Sequence, residues 1–167
     1  MDVIKKCIKE EGNLTKMHKF YLGLNFKKVG KIKLEEANGK IITYRPQRDI
    51  DRKQYPLNKY ANGAFCYFKI LPYWREKAGL YIFIVNNKEK YVGECDDLFY
   101  RVYDYGHITP RKCHKDGQST NCKINRLILK TSGISFVDLW FHCTKQMSRK
   151  NRRIIEKKLI DLLSPPW

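Results

Sequence analysis

Two tyrosines, one arginine and one isolated carboxylate have the chemistry needed to hydrolyse a phosphodiester. Gly79-Leu80-Tyr81 places a phenol in a β-rich run, and Tyr91-Val92-Gly93 places a second phenol in the next short run. Residues this close in sequence lie side by side when a short turn joins two strands. Arg101 follows soon afterwards, and a guanidinium can hold a phosphate through two parallel hydrogen bonds. The sequence therefore predicts phenols and a cation gathered around an anionic substrate.

Glu156 is the only acidic residue between positions 139 and 160. A lone carboxylate among cations is a candidate ligand for a hard divalent cation. The alternative is an ordinary ion pair with Arg152, four residues earlier on the same helix. His107 lies just beyond Arg101, and its imidazole titrates near neutral pH, so it could share in proton transfer.

The elements that must position these residues follow from short local patterns. Residues 79–85 and 90–94 form two strands around a turn at residues 86–89. Asp96 or Asp97 caps a helix that runs to about Tyr105. Ser148 begins a helix of about fifteen residues that the prolines at 165 and 166 end. Residues 106–121 are expected to form a loop, residues 122–130 a short helix and residues 134–143 a strand.

The first part of the chain predicts a different mixture of elements. Apolar residues at helical spacing indicate a helix over residues 3–8, and a second short helix is expected over residues 15–22. Strands over 29–33 and 40–44 flank an Asn38-Gly39 hairpin turn. We expect an α+β fold with a small central mixed or antiparallel sheet flanked by helices, and an N-terminal helical and hairpin extension. The expected division is 1–75, an extension for DNA recognition or dimerisation, and 76–167, a catalytic core.

The order and spacing of Tyr81, Tyr91, Arg101 and Glu156 resemble the GIY-YIG nuclease family, with Leu80 and Val92 in place of the motif isoleucines. The resemblance covers residues 64–167, and residues 105–113 and 117–122 are similar to a loop of stand-alone members related to GIY-YIG type II restriction endonucleases. It implies a GIY-YIG-like fold and phosphodiester hydrolysis with Mg²⁺, or another divalent cation such as Mn²⁺, held by Glu156.

The same resemblance implies a role for each site residue. Arg101 stabilises the transition state. Tyr81, with a phenol pKa lowered by the cations beside it, accepts the proton of the attacking water. Tyr91 hydrogen-bonds the water or the phosphate, and His107 assists. The family often has an Asn after Pro-Pro-Trp, whereas the given sequence stops at Trp167, and Asn121 or Asn125 are candidate substitutes.

Charge points to a polyanionic partner. Lys and Arg number 34 against 17 Asp and Glu, which gives a net charge of +17. Nucleic acid is the first partner that this charge favours and an acidic membrane surface the second, and the resemblance implies double-stranded DNA. The basic, aromatic-rich stretch of residues 45–55 is interpreted either as a solvated loop or as a DNA-contacting one. The candidate DNA-binding residues are Arg45, Arg48, Arg52, Lys90, Arg111, Lys112 and Arg152.

The cysteines and the mean hydropathy bear on where in the cell the protein is expected. No secretory signal precedes the six cysteines, so reduced thiols and a cytoplasmic location are expected. The mean hydropathy is −0.59, and no apolar run approaches the roughly 18 residues that span a bilayer, so no membrane partner is expected. Cys113, Cys122 and Cys143 match no standard zinc spacing and are interpreted as ordinary small residues, with zinc as the alternative.

These observations predict a Mg²⁺-dependent DNA endonuclease, site-specific and of restriction type. A single active site cuts both strands through a homodimer, two binding events or sequential nicking. The alternatives are a GIY-YIG nuclease of repair or homing type, and a nucleic-acid-binding protein that cuts nothing.

Overall fold

The structure, a computed structural model, describes residues 18–167 and has an α+β fold. Its five-stranded antiparallel sheet has the order β1-β2-β9-β7-β8, and β3-β4 and β5-β6 form two small ribbons. The strands are β1 His18–Tyr21, β2 Leu24–Lys31, β3 Glu36–Ala37, β4 Lys40–Ile41, β5 Thr43–Tyr44, β6 Phe65–Cys66, β7 Gly79–Val85, β8 Lys88–Cys95 and β9 Val137–Cys143. The helices are α1 Leu98–Gly106, α2 Pro110–Cys113, α3 Ser119–Ser132 and α4 Arg149–Leu163, with a 3₁₀ turn at Pro72–Trp74. The expectation of an α+β fold with an antiparallel sheet is confirmed.

The β7–β8 hairpin forms as predicted. Asn86 and Asn87 both adopt positive φ, at 50° and 60°, and asparagine tolerates this conformation, which a tight two-residue hairpin turn requires. All seven residues of β7 are buried, because β8 pairs with one edge and β9 with the other while helices cover both faces. The register shifts near Lys90, which has no partner on β7.

The predicted helix over residues 15–22 is wrong in its described part, since His18–Tyr21 forms strand β1. Leu22 and Gly23 both take positive φ, 51° and 74°, and make a two-residue connection to β2 instead of a helix end. The helix predicted over residues 3–8 lies outside the described residues. The Asn38-Gly39 turn is confirmed, with β3 and β4 paired across it.

Two hydrophobic layers pack on opposite faces of the sheet. Tyr81 and Phe83 of β7 point to the layer that α1 and α3 cover. Leu80 and Ile82 point to the other layer, where Leu159 of α4 packs. This alternation of side chains follows from the two-residue period of a strand. In the strand order, β8 is an edge strand, and helices lie on both faces of the sheet beside it.

Helix boundaries agree with the capping signals. Asp97 accepts a hydrogen bond from the Tyr100 N–H at 2.9 Å, and Ser148 accepts one from the Asn151 N–H at 3.3 Å. Both predicted helix starts are confirmed. Residues 106–121, predicted as a loop, contain the short helix α2, which starts with Pro110 because proline suits the first helical position.

The extension predicted for residues 1–75 contributes to the central sheet. β2 pairs with β9 from Lys27 to Lys31, so β1 and β2 belong to the same sheet as β7 and β8. The division at residue 75 stays a prediction. In the described part of the chain, no helix combines the length and the apolar character that crossing a membrane requires.

Candidate active site

Three phenols meet at the β7–β8 hairpin. The Tyr81 hydroxyl lies 2.6 Å from the Tyr105 hydroxyl, which in turn donates to the Tyr91 oxygen at 3.3 Å. Since Tyr105 donates its single proton to Tyr91, Tyr81 must donate to Tyr105. The result is a directed chain of hydrogen bonds from Tyr81 through Tyr105 to Tyr91, and Tyr91 keeps its own proton free for a further partner.

Gly93 explains how the Tyr81 ring reaches this position. Tyr81 and Gly93 are direct partners across the β7–β8 ladder, and a Cβ at Gly93 would collide with the Tyr81 phenol. The ring therefore lies over the glycine, where any larger residue would displace it. This close approach gives a physical reason for the glycine in Tyr91-Val92-Gly93.

The expectation that cations lower the Tyr81 pKa is wrong. Burial raises the pKa of Tyr81 well above its usual value, and its neighbours Tyr105 and Tyr91 raise it further, while Arg101 lowers it by less. The side chain is only 1% exposed, so desolvation of a phenolate outweighs the nearby positive charge. Tyr81 is thus a neutral hydrogen-bond donor.

Tyr105 is a member of the cluster that the sequence analysis missed. It lies four residues after Arg101 on α1, so the two share one face of the helix. The Arg101 guanidinium lies 5.9 Å from the Tyr105 ring centre. Burial raises the pKa of Tyr105 as well, again with Arg101 opposing. The i, i+4 spacing from Arg101 was the available signal.

Asn125 of α3 fixes the end of α1 that carries Tyr105. Its buried side-chain amide donates to the Tyr105 carbonyl at 2.7 Å and to the Cys66 carbonyl at 2.8 Å, and its oxygen accepts from the Cys66 N–H at 3.0 Å. These bonds tie α1, α3 and β6 together. Asn125 therefore acts here as a positioning residue for Tyr105.

Glu156 lies on α4, which packs on the face of the sheet opposite the phenol cluster. Burial raises the pKa of this half-buried carboxyl, as does repulsion from Glu94, while the Glu94 backbone N–H, Arg101 and Arg153 lower it by smaller amounts. Because Glu94 is on β8 and Arg101 is on α1, the Glu156 carboxyl lies at the edge of β8, where charges on α1 and α4 can interact. Among the described residues, no ion pair involves Glu156; the alternative partner, Arg152, binds Glu94 and Asp96 instead.

A divalent cation fits this carboxylate. Mg²⁺ is typically bound through one or two carboxylates, with waters and substrate phosphate completing its shell. No group of three or more His, Cys, Asp or Glu side chains suited to a metal occurs among residues 18–167. Glu156 has no ion-pair partner among residues 18–167 and lies within electrostatic reach of the phosphate-binding candidate Arg101. It therefore suits a cation shared with the substrate rather than one in a closed protein cage.

Arg152, a predicted DNA-binding residue, lies in the protein interior. It is 3% exposed and binds the buried Glu94 carboxylate at 3.3 Å, the Met147 carbonyl at 2.8 Å and the Asp96 carboxylate. Arg149 and Arg153 also contact Glu94, at 3.2 and 3.5 Å. The geometry of Arg152 is that of an anchor between α4 and β8.

His107 and the basic residues after it make contacts within the protein. His107 stacks on Tyr103 at 3.8 Å between ring centres, and no hydrogen bond joins it to the three phenols in the described part of the chain. Arg111 forms a bidentate pair with Asp116 at 2.6 and 2.9 Å. The Lys112 ammonium donates to the Asp104 and His107 carbonyls, both at 2.8 Å, at the end of α1. The roles predicted for these three residues stay predictions.

The remaining candidates for DNA contact lie on the surface. Arg45, Arg48 and Arg52 are exposed on irregular backbone between β5 and β6, and Lys90 is half-buried at the β8 irregularity. Beside it, the Trp167 N–H donates to the Lys90 carbonyl at 2.9 Å.

The cysteines considered for zinc do not come together as a set of three. Cys113 and Cys122 are both buried in one hydrophobic cluster. Cys143 is exposed at the end of β9, beside the start of α4.

No protein-family model, no curated protein and no solved structure matches this chain.

Proposed function

We propose that the chain is a Mg²⁺-dependent DNA endonuclease, site-specific and of restriction type. The observation that supports this most is the chain of phenols from Tyr81 through Tyr105 to Tyr91 beside Arg101. Glu156 lies at the same strand edge and forms no ion pair with any residue that the structure describes. Phosphodiester hydrolysis needs charge stabilisation, a water-orienting group and a carboxylate for a metal. A net charge of +17 favours a polyanionic substrate.

In the proposed reaction, each residue acts according to its exposure. Arg101 is half-buried and stabilises the negative charge that develops on the scissile phosphate. Tyr91 is the accessible end of the phenol chain, so it orients the attacking water in place of Tyr81, which is sealed from solvent. The proton that this water loses passes to the solvent. The neutral Tyr81 and Tyr105 hold the Tyr91 oxygen in position through their directed hydrogen bonds.

Glu156 would hold the divalent cation, Mg²⁺ or Mn²⁺. When bound, that cation supplies charge neutralisation on the scissile phosphate and the leaving 3′-oxygen. His107 would take part only after moving from its stack on Tyr103. Double-strand cleavage would need a second copy of the site, which a homodimer would supply.

The proposal is tested by plasmid cleavage with Glu156→Gln. This substitution removes a metal ligand and leaves the basic surface intact, so cleavage should be lost while DNA binding remains. Asp161→Asn is the matched control, because Asp161 is an exposed carboxylate on the same helix and should cut at the wild-type rate. Cleavage by Glu156→Gln at the wild-type rate would contradict the metal assignment. Absence of cleavage by the wild-type chain on varied DNA with Mg²⁺ or Mn²⁺ would favour a protein that binds nucleic acid without cutting it.

A further inference from the structure

A cleft of about 810 Å³ lies between the 3₁₀ turn, the end of β2 and helix α1. Its walls include the aromatic side chains of Trp74, Phe99 and Tyr103. Phe99 and Tyr103 precede Arg101 and Tyr105 by two positions each, which is about 200° around a helix. The cleft is therefore on a different side of α1 from the phenol cluster.

The cleft carries an excess of positive charge. Lys31, Lys33 and Arg75 line it, and none of them forms an ion pair with another described residue. Among the described residues that line the cleft, the one carboxylate, Glu35, lies 4.0 Å from Lys69. Lys31, Lys33 and Arg75 thus have no carboxylate partner in residues 18–167, and the Lys31 ammonium lies over the Phe136 ring at 3.7 Å.

The aromatic walls are held in place before any ligand arrives. The Tyr103 ring stacks on His107 at 3.8 Å and 13°, and 40% of Tyr103 remains exposed. Trp74 packs edge-on against Phe141 at 5.8 Å. The Arg75 guanidinium lies over the Phe99 ring at 4.7 Å. Rigid aromatic faces beside unpaired cations are the combination that binds single-stranded nucleic acid, by stacking on bases and neutralising phosphates.

We propose that this cleft binds unpaired bases of a DNA strand, with Trp74 and Tyr103 stacking on the bases and Lys31, Lys33 and Arg75 contacting the phosphates. As a subsite of the substrate, it rests on the proposed endonuclease function. The preferred substrate therefore has an unpaired segment beside the cut.

Tryptophan fluorescence in metal-free buffer tests the proposal without any cleavage. An oligothymidine should quench the emission of the wild-type protein, because a base stacked on Trp74 quenches its indole. A strand of equal length with abasic sites in place of thymidines carries the same phosphates and should quench little. Trp74→Phe keeps an aromatic ring in the core and should remove the quenching. Equal quenching by the abasic strand or by a duplex, or full quenching of Trp74→Phe, overturns the proposal.

Affinity for the oligothymidine provides the second measurement. Tyr103→Ala should weaken binding about tenfold or more, as expected for loss of a base-stacking ring. Tyr100→Ala is the matched control, since Tyr100 is a 55% exposed tyrosine of the same helix that does not line the cleft. An unchanged affinity of Tyr103→Ala, or an equal loss in Tyr100→Ala, overturns the assignment.

The two proposals can fail separately. Quenching through Trp74 without cleavage of any DNA would retain the cleft as a binding site and reject the endonuclease. Plasmid cleavage that Tyr103→Ala leaves unchanged, with no quenching by oligothymidine, would retain the endonuclease and reject the cleft.

Discussion

Burial decides what each phenol in the cluster can do. Tyr81 and Tyr105 are each 1% exposed, and desolvation raises both pKa values despite Arg101 nearby. A buried phenol kept neutral is a fixed donor, and two such donors in sequence orient the Tyr91 oxygen. Tyr81 therefore serves better as part of a rigid scaffold than as a proton acceptor.

Arg101 should contribute to turnover more than to binding. Arg101→Ala is expected to lower cleavage of bound DNA by a factor on the order of 10³, as for loss of a donor aimed at developing charge. Arg101→Lys keeps the charge but loses the planar two-donor geometry, so it should recover only part of the rate. Single-turnover cleavage at saturating protein measures both variants. A weaker affinity with unchanged turnover would identify Arg101 as a phosphate clamp.

The raised pKa of Glu156 sets the acid side of the pH profile. Metal binding requires the ionised carboxylate, so cleavage should fall as pH decreases through a pKa above the ordinary 4.5. Cleavage of bound DNA measured against pH with Mg²⁺ far below saturation checks this, because saturating metal would compete with the proton and lower the apparent pKa. An acid limb at or below the ordinary glutamate value would contradict the role of burial.

Glu156 should affect the free energy of unfolding in the opposite sense to cleavage, since its ionisation favours cleavage and lowers stability. Because the folded pKa exceeds the unfolded one, the contribution of Glu156 to stability is fully present below the unfolded pKa and is lost as pH rises through the folded pKa. Urea unfolding at about pH 7 should therefore show Glu156→Gln at least as stable as the wild type. A clear loss of stability would mean that the ionised carboxylate holds a structural partner.

At the scale of elements, the position of β8 brings the candidate site together. β8 is the edge strand of the sheet, and α1 and α4 cover opposite faces beside it. Residues from both helices can therefore meet around its edge, which an interior strand would prevent. The buried pair of Glu94 on β8 and Arg152 on α4 fixes one side of this arrangement.

Loss of Arg152 should destabilise the fold. Arg152→Ala leaves the buried Glu94 without its most buried partner, so the free energy of unfolding should fall by about 3 to 5 kcal/mol. Arg153→Ala is the control, because its side chain is 62% exposed while contacting the same carboxylate, and it should cost less than about 1 kcal/mol. Chemical denaturation measures both. Equal effects would show that burial does not distinguish the two arginines.

Elements whose signal is local were predictable, and those that depend on distant partners were not. Asn86-Asn87, Asp97 and Ser148 each satisfy a turn or a cap within a few residues, and the structure has the predicted elements there. β1 exists because it pairs with β2, which in turn pairs with β9 more than a hundred residues later. The direction of the Tyr81 pKa shift and the interior position of the Arg152 side chain likewise depend on burial, which the spacing of residues in the sequence does not reveal.

Across the whole molecule, positive charge is the dominant feature. The net charge of +17 is what remains after every Asp and Glu has been counted, so the ion pairs with Glu94, Asp96 and Asp116 do not reduce it. Arg45, Arg48 and Arg52 extend the basic surface away from the phenol cluster. Contacts of such residues with phosphates add affinity without sequence information.

DNA binding should be steeply dependent on salt. Neutralising Z phosphates gives a log–log slope of about −0.9Z on duplex DNA, so about five contacts predict a loss of roughly a hundredfold or more between 50 and 200 mM salt. Fluorescence anisotropy in Ca²⁺, on specific and non-specific duplexes, measures the slope. A flat response on both duplexes would mean that DNA is not the polyanion this charge serves.

The place of β9 also imposes an order on folding. β9 is synthesised after the other four strands of the five-stranded sheet, yet it lies between β2 and β7 in the finished sheet. The β1–β2 and β7–β8 hairpins are local and can form early, but they remain separate until residues 137–143 insert between them. Such a late, non-local closure is slow, and until then the inner edges of β2 and β7 stay unpaired. A ribosome that stalls before β9 is complete would thus release a chain with two open strand edges, the form most exposed to aggregation.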